Sequence, residues 1–307
     1  MKKRLQNKIS ESRLTLPVVS LYATAVWLIA GLIQQEWWIQ FGCFALSTFL
    51  MMELNNSNTL LRIHSRMVSC SFLVLSCCVC FLFHSLSEAI SELFILATYL
   101  ILFFTYQDKT SSGLSYYGFL CLGVASIANV HILFFLPFWW LLMQFNLQSF
   151  SQRTFLASLM GVTTPYGYWA CWLLFQDSFS PLVEHLSSLG IFHFPFDFSS
   201  VADNHLVFFI FLTVIAILGT LHYWQTSYQD KFRVRQLYSL FIRMNIVIFL
   251  FFCLQPQHSD LLIRLMVINT APLVAHFIAL TNQRITNIIF CVIVIITLTF
   301  TAYNLWM

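Results

Sequence analysis

The sequence predicts an all-α, polytopic transmembrane helix bundle, and three observations predict it. Of 307 residues, 59% are hydrophobic, 33 of them phenylalanine, and only 9% are charged. A soluble chain carries about 25% charged residues, so this one has too little polar surface to face water. The apolar residues also fall in runs near the length of about 20 that spans a bilayer as a helix. Finally, the basic residues gather between alternate runs, as the positive-inside tendency requires.

The elements follow in order. The basic start, MKKRLQNKISESR, leads into an apolar run at 14–33. That run is too long for a signal-peptide core and lacks an A-x-A site, so it reads as an uncleaved first span. Further spans are expected near 37–52, 67–84, 90–106, 114–128, 131–146, 154–176, 205–224, 238–254, 261–280 and 287–305, about eleven in all. The stretch 114–146 is long for one span and short for two. The polar residues at 129–131 and Pro137 favour two short helices meeting at a turn. With the N-terminus inside, 14 of the 15 basic residues fall on the cytoplasmic side and the C-terminus lies outside. The chain therefore reads as a single integral membrane domain, 1–307, with the lipid bilayer as its first partner.

Between the spans, two segments stand out. In ELNNSNTLLRIHSR, 53–66, the residues Asn55, Asn56 and Asn58 look like turn and cap residues, and Arg62 and Arg66 share a helical face. This pattern suits positive-inside anchoring, or contact with anionic headgroups or a cytoplasmic partner. The long outer loop, 177–204, carries Leu182, Leu186, Leu189 and Phe192 at near-helical spacing, as an amphipathic interfacial helix would. The nine cysteines lie in apolar stretches without disulfide or zinc spacing, so they read as packing residues and no metal is expected. No Gly-rich phosphate loop occurs, and neither a cofactor nor a nucleic-acid partner is expected.

Candidate chemistry gathers on the predicted outer face. Arg264 is the one basic residue there, about one turn inside a span, with Asp260 four residues before it to neutralise it. It suits either a helix-end ion pair or a contact to a lipid phosphate, whose oxygens a guanidinium fork matches. His258, the turn residues Asn129 and His131, and His185 of the long loop are the other candidate binding groups. For general acid–base work the candidate carboxylates are Glu36, Glu184 and Asp203.

GFLCLGVASIA, the polar turn, ILFFLPFWWLLM, the following SFSQR and a span with a central TTPYGYW together cover roughly 114–176. In that order they resemble the middle of GT-C-type integral membrane glycosyltransferases and related bacterial inner-membrane proteins. The resemblance implies an outward-facing active site and a polyprenyl-phosphate-linked sugar as donor. Those enzymes carry a long first outer loop with a catalytic acid, whereas here the link is only Gln34-Gln35-Glu36. The functional expectation is an outward cavity that handles a lipid-linked or anionic envelope precursor. Two alternatives stay open: a transporter or flippase, and a non-catalytic subunit among other membrane subunits.

Overall fold

The computed structural model describes residues 4–192 and 195–306, apart from the side chain of Ser200. Among the described residues there are no strands, and thirteen α-helices follow one another. They are α1 Leu5–Glu11, α2 Thr15–Ile29, α3 Trp38–Asn58, α4 Met67–Cys77, α5 Leu86–Phe103, α6 Ser112–Ala128, α7 Leu136–Leu142, α8 Gln152–Phe175, α9 Ser180–Ser187, α10 Asp203–Thr226, α11 Phe232–Leu254, α12 Ser259–Leu280 and α13 Arg284–Trp306. In lipid, a helix satisfies its own backbone polar groups, which is why apolar runs fold this way. Hydroxyls within the runs bond back to the preceding turn, as Ser91 does to Ser87 O (2.8 Å) and Thr98 to Phe94 O (2.9 Å).

Each of the eleven apolar runs overlaps a helical element, and among the described residues six segments are long and apolar enough to cross a membrane: Leu86–Phe103, Val130–Leu147, Asp203–Gln229, Phe232–Leu254, Pro256–Leu280 and Arg284–Trp306. A seventh arises if α1 and α2, bent 91° to each other, count as one broken span. The chain is an all-helical membrane protein. Its surface carries Leu21, Ile29, Trp172 and Phe175 largely exposed, a cost that lipid removes.

The centre of the bundle is α12, whose span-length window is entirely buried. It packs against α4, α5, α10 and α11, while α13 lies at the edge with 22% of its window buried. Helices α6 and α8 pack most closely. A Cβ on Gly161 would stand 2.5 Å from Tyr116 O, and one on Gly123 would stand 2.8 Å from Val162 O. Small residues of this kind let two membrane helices approach backbone to backbone.

Three local expectations are revised, and a fourth is kept. The run at 67–84 does not form one helix: α4 stops at Cys77, and a 3-10 turn follows at Cys80–Leu82. Small Ser and Cys side chains let this segment pack closely into the bundle, with all of its residues buried except Val74. Asn55 and Asn58 are not turn residues. They are buried in the last turns of α3, Asn55 Nδ2 donating to Ser65 O (3.0 Å), and the helix ends at Thr59 with φ 47°. Arg62 and Arg66 share no helix, because 59–66 is irregular. At 114–146 the chain does break at Asn129, whose Oδ1 accepts from His131 N (3.2 Å) and caps a 3-10 turn at Val130–Phe135.

The first helix is not an extension of the second. It lies across the end of α12, where the last carbonyls lack partners within their own helix. Gln6 Nε2 donates to Ile278 O (2.6 Å) and to Thr281 Oγ1, and Asn7 Nδ2 to Thr281 O (3.1 Å). Gln6→Ala is expected to cost about 1–3 kcal/mol, because the buried Ile278 carbonyl loses its side-chain donor. Thermal melting of the detergent-solubilised protein checks it, and an unchanged midpoint refutes it.

Candidate functional site

At the end of the bundle that holds Asn129 and Asp260, the predicted residues form separate polar contacts rather than one constellation. Arg264 is buried on α12, yet no ion pair joins it to Asp260 among the described residues. Its Nη1 donates to Glu92 Oε2 on α5, and its Nη2 donates to Leu82 O at 2.6 Å. The break after α4 is what brings that carbonyl within reach. Asp260 turns instead to His205 of α10, with Nδ1 to Oδ1 at 3.1 Å. The expected Asp260–Arg264 pair is thus replaced by two pairs to other helices, each charge meeting the counter-charge that packing brings within reach.

Asn129 Nδ2 donates to Glu88 Oε1 (2.9 Å), and the His131 ring stacks on His258 with centroids 3.6 Å apart. His185 on α9 binds Ser126 O (3.0 Å) and so docks the predicted interfacial helix onto the end of α6. The carboxylates Glu36, Glu184 and Asp203 are all exposed, and none has a hydrogen bond or ion pair among the described residues. They are not brought together. His193 lies outside the described residues. Beside the Arg264–Glu92 pair the free space is ≈ 10 Å³, about the room of one water. This end of the bundle is closed around Arg264.

The opposite end is open. A basin of ≈ 610 Å³ is lined by Asn55, Arg62, His64, Ser65, Asp230 and Lys231, among others. Its wall includes Arg62 and Asp230, two members of a triad drawn from three distant segments. Asp230 accepts from Arg62 Nε (2.6 Å) and from His276 Nε2 (3.2 Å), and His276 is wholly buried. Arg62 is held further by Gln229 Oε1 and by Thr226 O (3.4 Å). Sequence reasoning noted Arg62 but passed over Asp230. The available signal was a single acid beside Lys231, Arg233 and Arg235 in one short loop.

Burial raises the Asp230 carboxyl, but the hydrogen bonds and charges of His276 and Arg62 outweigh it and hold the group below its ordinary range. A carboxyl depressed in the folded state contributes stability above its unfolded value of about 3.9, and that stability is lost as pH falls through the folded value. Below about pH 4, wild type is therefore expected to lose stability more steeply than Asp230→Asn. Melting midpoints between acid and neutral pH decide it, and parallel curves refute it.

A second concavity adjoins the first. An apolar groove of ≈ 800 Å³ runs from Lys8, Ile9 and Ser12 along α2, α4 and α13, over Val74, Val294 and Leu298. The two meet at one seam, where Ser65 Oγ at the basin wall donates to Ser10 O of α1 (2.6 Å). Among the described residues no group of three or more His, Cys, Asp or Glu is placed to hold a metal ion. No protein-family model, curated protein or solved structure matches the chain.

Proposed function

We propose that this is a multi-pass protein of the bacterial inner membrane that binds an anionic lipid, with its chain in the groove beneath α1. The observation that carries the reading is the groove itself: an apolar channel on the outside of a membrane protein that ends at the ammonium of Lys8. Lipid chains match its lining, and a phosphate at its end meets a basic helix lying across the bundle. On this reading the eleven helical segments sit in or at the bilayer, and the basic loops place the basin and α1 on the cytoplasmic side. The polyprenyl-phosphate carrier implied by the GT-C-type resemblance is one member of this lipid class. Arg264 is already engaged by Glu92 and Leu82, so the phosphate contact is assigned to the α1 end instead.

Val74 lines the groove on α4, and Val74→Trp fills it. Native mass spectrometry from mild detergent is expected to find lipid on the wild type and several-fold less on the variant at an unchanged melting midpoint. Equal lipid on both refutes the assignment.

A further inference from the structure

We infer that the basin holds the headgroup of the groove-bound lipid, and that this headgroup is a hydroxyl-bearing phosphodiester; the inference rests on the lipid reading above. Three observations carry it. The first is continuity. Ser65 belongs to the basin and Met67 to the groove, and the carbonyl of Ser10 that Ser65 bonds lies on α1 between groove residues Ile9 and Ser12. A lipid whose chain follows α2 and α4 has only this seam to pass before its head reaches the basin.

The second observation is charge. Arg62 and Lys231 are the cations of the lining and Asp230 its carboxylate, which leaves one positive charge. Asp230 is satisfied by Arg62 and His276, so the charge in excess sits on Lys231, exposed and without a hydrogen bond or ion pair among the described residues. Together with Lys8 at the end of the groove, Lys231 gives the joined site a net positive charge that favours an anionic phosphodiester head. It gives no reason to bind a head whose own amine already balances its phosphate.

The third observation is an unanswered acceptor. Asn55 is 8% exposed and lines the basin; its Nδ2 is used by Ser65 O, and its Oδ1 has no hydrogen-bond partner. A buried carbonyl oxygen without a donor is unfavourable, and a ligand hydroxyl supplies that donor. With ≈ 610 Å³ available, the basin is also far larger than a bare phosphate requires. A glycerol headgroup from the bilayer and a sugar on a polyprenyl phosphate share this chemistry.

The test uses the full chain in mild detergent. Native mass spectrometry follows competition among phosphatidylglycerol, phosphatidic acid and phosphatidylethanolamine, and in a separate arm a polyprenyl-phosphate sugar against phosphatidylglycerol. Phosphatidylglycerol is expected to exceed phosphatidylethanolamine by about tenfold, and Lys231→Glu, an exposed change, to abolish that preference. Asn55→Ala is expected to bring phosphatidylglycerol and phosphatidic acid to parity. The polyprenyl arm identifies the source, since either winner carries the inferred head. A preference that survives Lys231→Glu, or parity of phosphatidylglycerol and phosphatidic acid on the wild type, overturns the headgroup assignment. In both cases lipid still lost in Val74→Trp leaves the groove reading standing; no lipid on any variant removes both.

Discussion

Replacing Arg264 by alanine is expected to lower the stability of the protein by about 3–5 kcal/mol, because it strands a buried carboxylate. The guanidinium is 9% exposed, and it holds both Glu92 and the carbonyl of Leu82. Without it, Glu92 has no counter-charge among the described residues, and the turn after α4 loses its tie to α12. The double variant Glu92→Leu/Arg264→Met is expected to recover most of the loss. A buried ion pair replaced by apolar groups of similar size is often neutral or even stabilising, since neither charge then has to leave water. Thermal melting of wild type, both single variants and the double variant forms a complete cycle, with a coupling of several kcal/mol expected. If Arg264→Ala melts with wild type, the pair is not structural, and the residue is free to serve a ligand as the sequence alone suggested.

Gly161→Leu is the second large effect. The added side chain starts at a Cβ that lies 2.5 Å from Tyr116 O and 3.0 Å from Leu120 N. Both are backbone atoms of α6, so relief requires moving one helix away from the other. Overpacking a core costs about 1–3 kcal/mol when side chains can yield, and a rigid backbone neighbour puts this substitution at or above the upper end. Gly167 on the same helix supplies the control, because nothing lies within 4 Å of a Cβ placed there. Gly167→Ala is expected to be neutral or to stabilise by up to about 1 kcal/mol through helix propensity. Melting midpoints that fail to separate these two glycines would show that α6 and α8 do not pack as described.

Much of the architecture was legible from composition and run length. The apolar runs became helices, and the break at Asn129 was visible in its polar tripeptide. The isolation of Arg264 also marked it as a residue that needs an explanation. The turn at Cys80–Leu82 was hidden, because Ser and Cys read as apolar enough for a continuous span while being small enough for a short helix packed closely among its neighbours. The Asn-rich end of α3 was hidden for a related reason. Asparagine favours turns by propensity, and only a buried neighbour such as the Ser65 carbonyl makes a helical position better.

The sequence by itself determined that this chain belongs in a membrane, that it is helical, and roughly where each helix runs. Those are properties of windows of residues: how little charge there is to hydrate, and how long each run stays apolar. Tertiary structure alone decided which helices face each other and which charges meet. In a helix that is apolar all round, hydropathy carries no angular signal, so nothing local states which side of α12 looks toward α5 or α10. Arg264 met Glu92 across 172 residues of chain, and Asp230 met Arg62 across 168. The nearer choice, Asp260, went to His205. A buried charge is stabilised by whichever partner packing brings into the same desolvated space, and that is a fact about the assembled bundle.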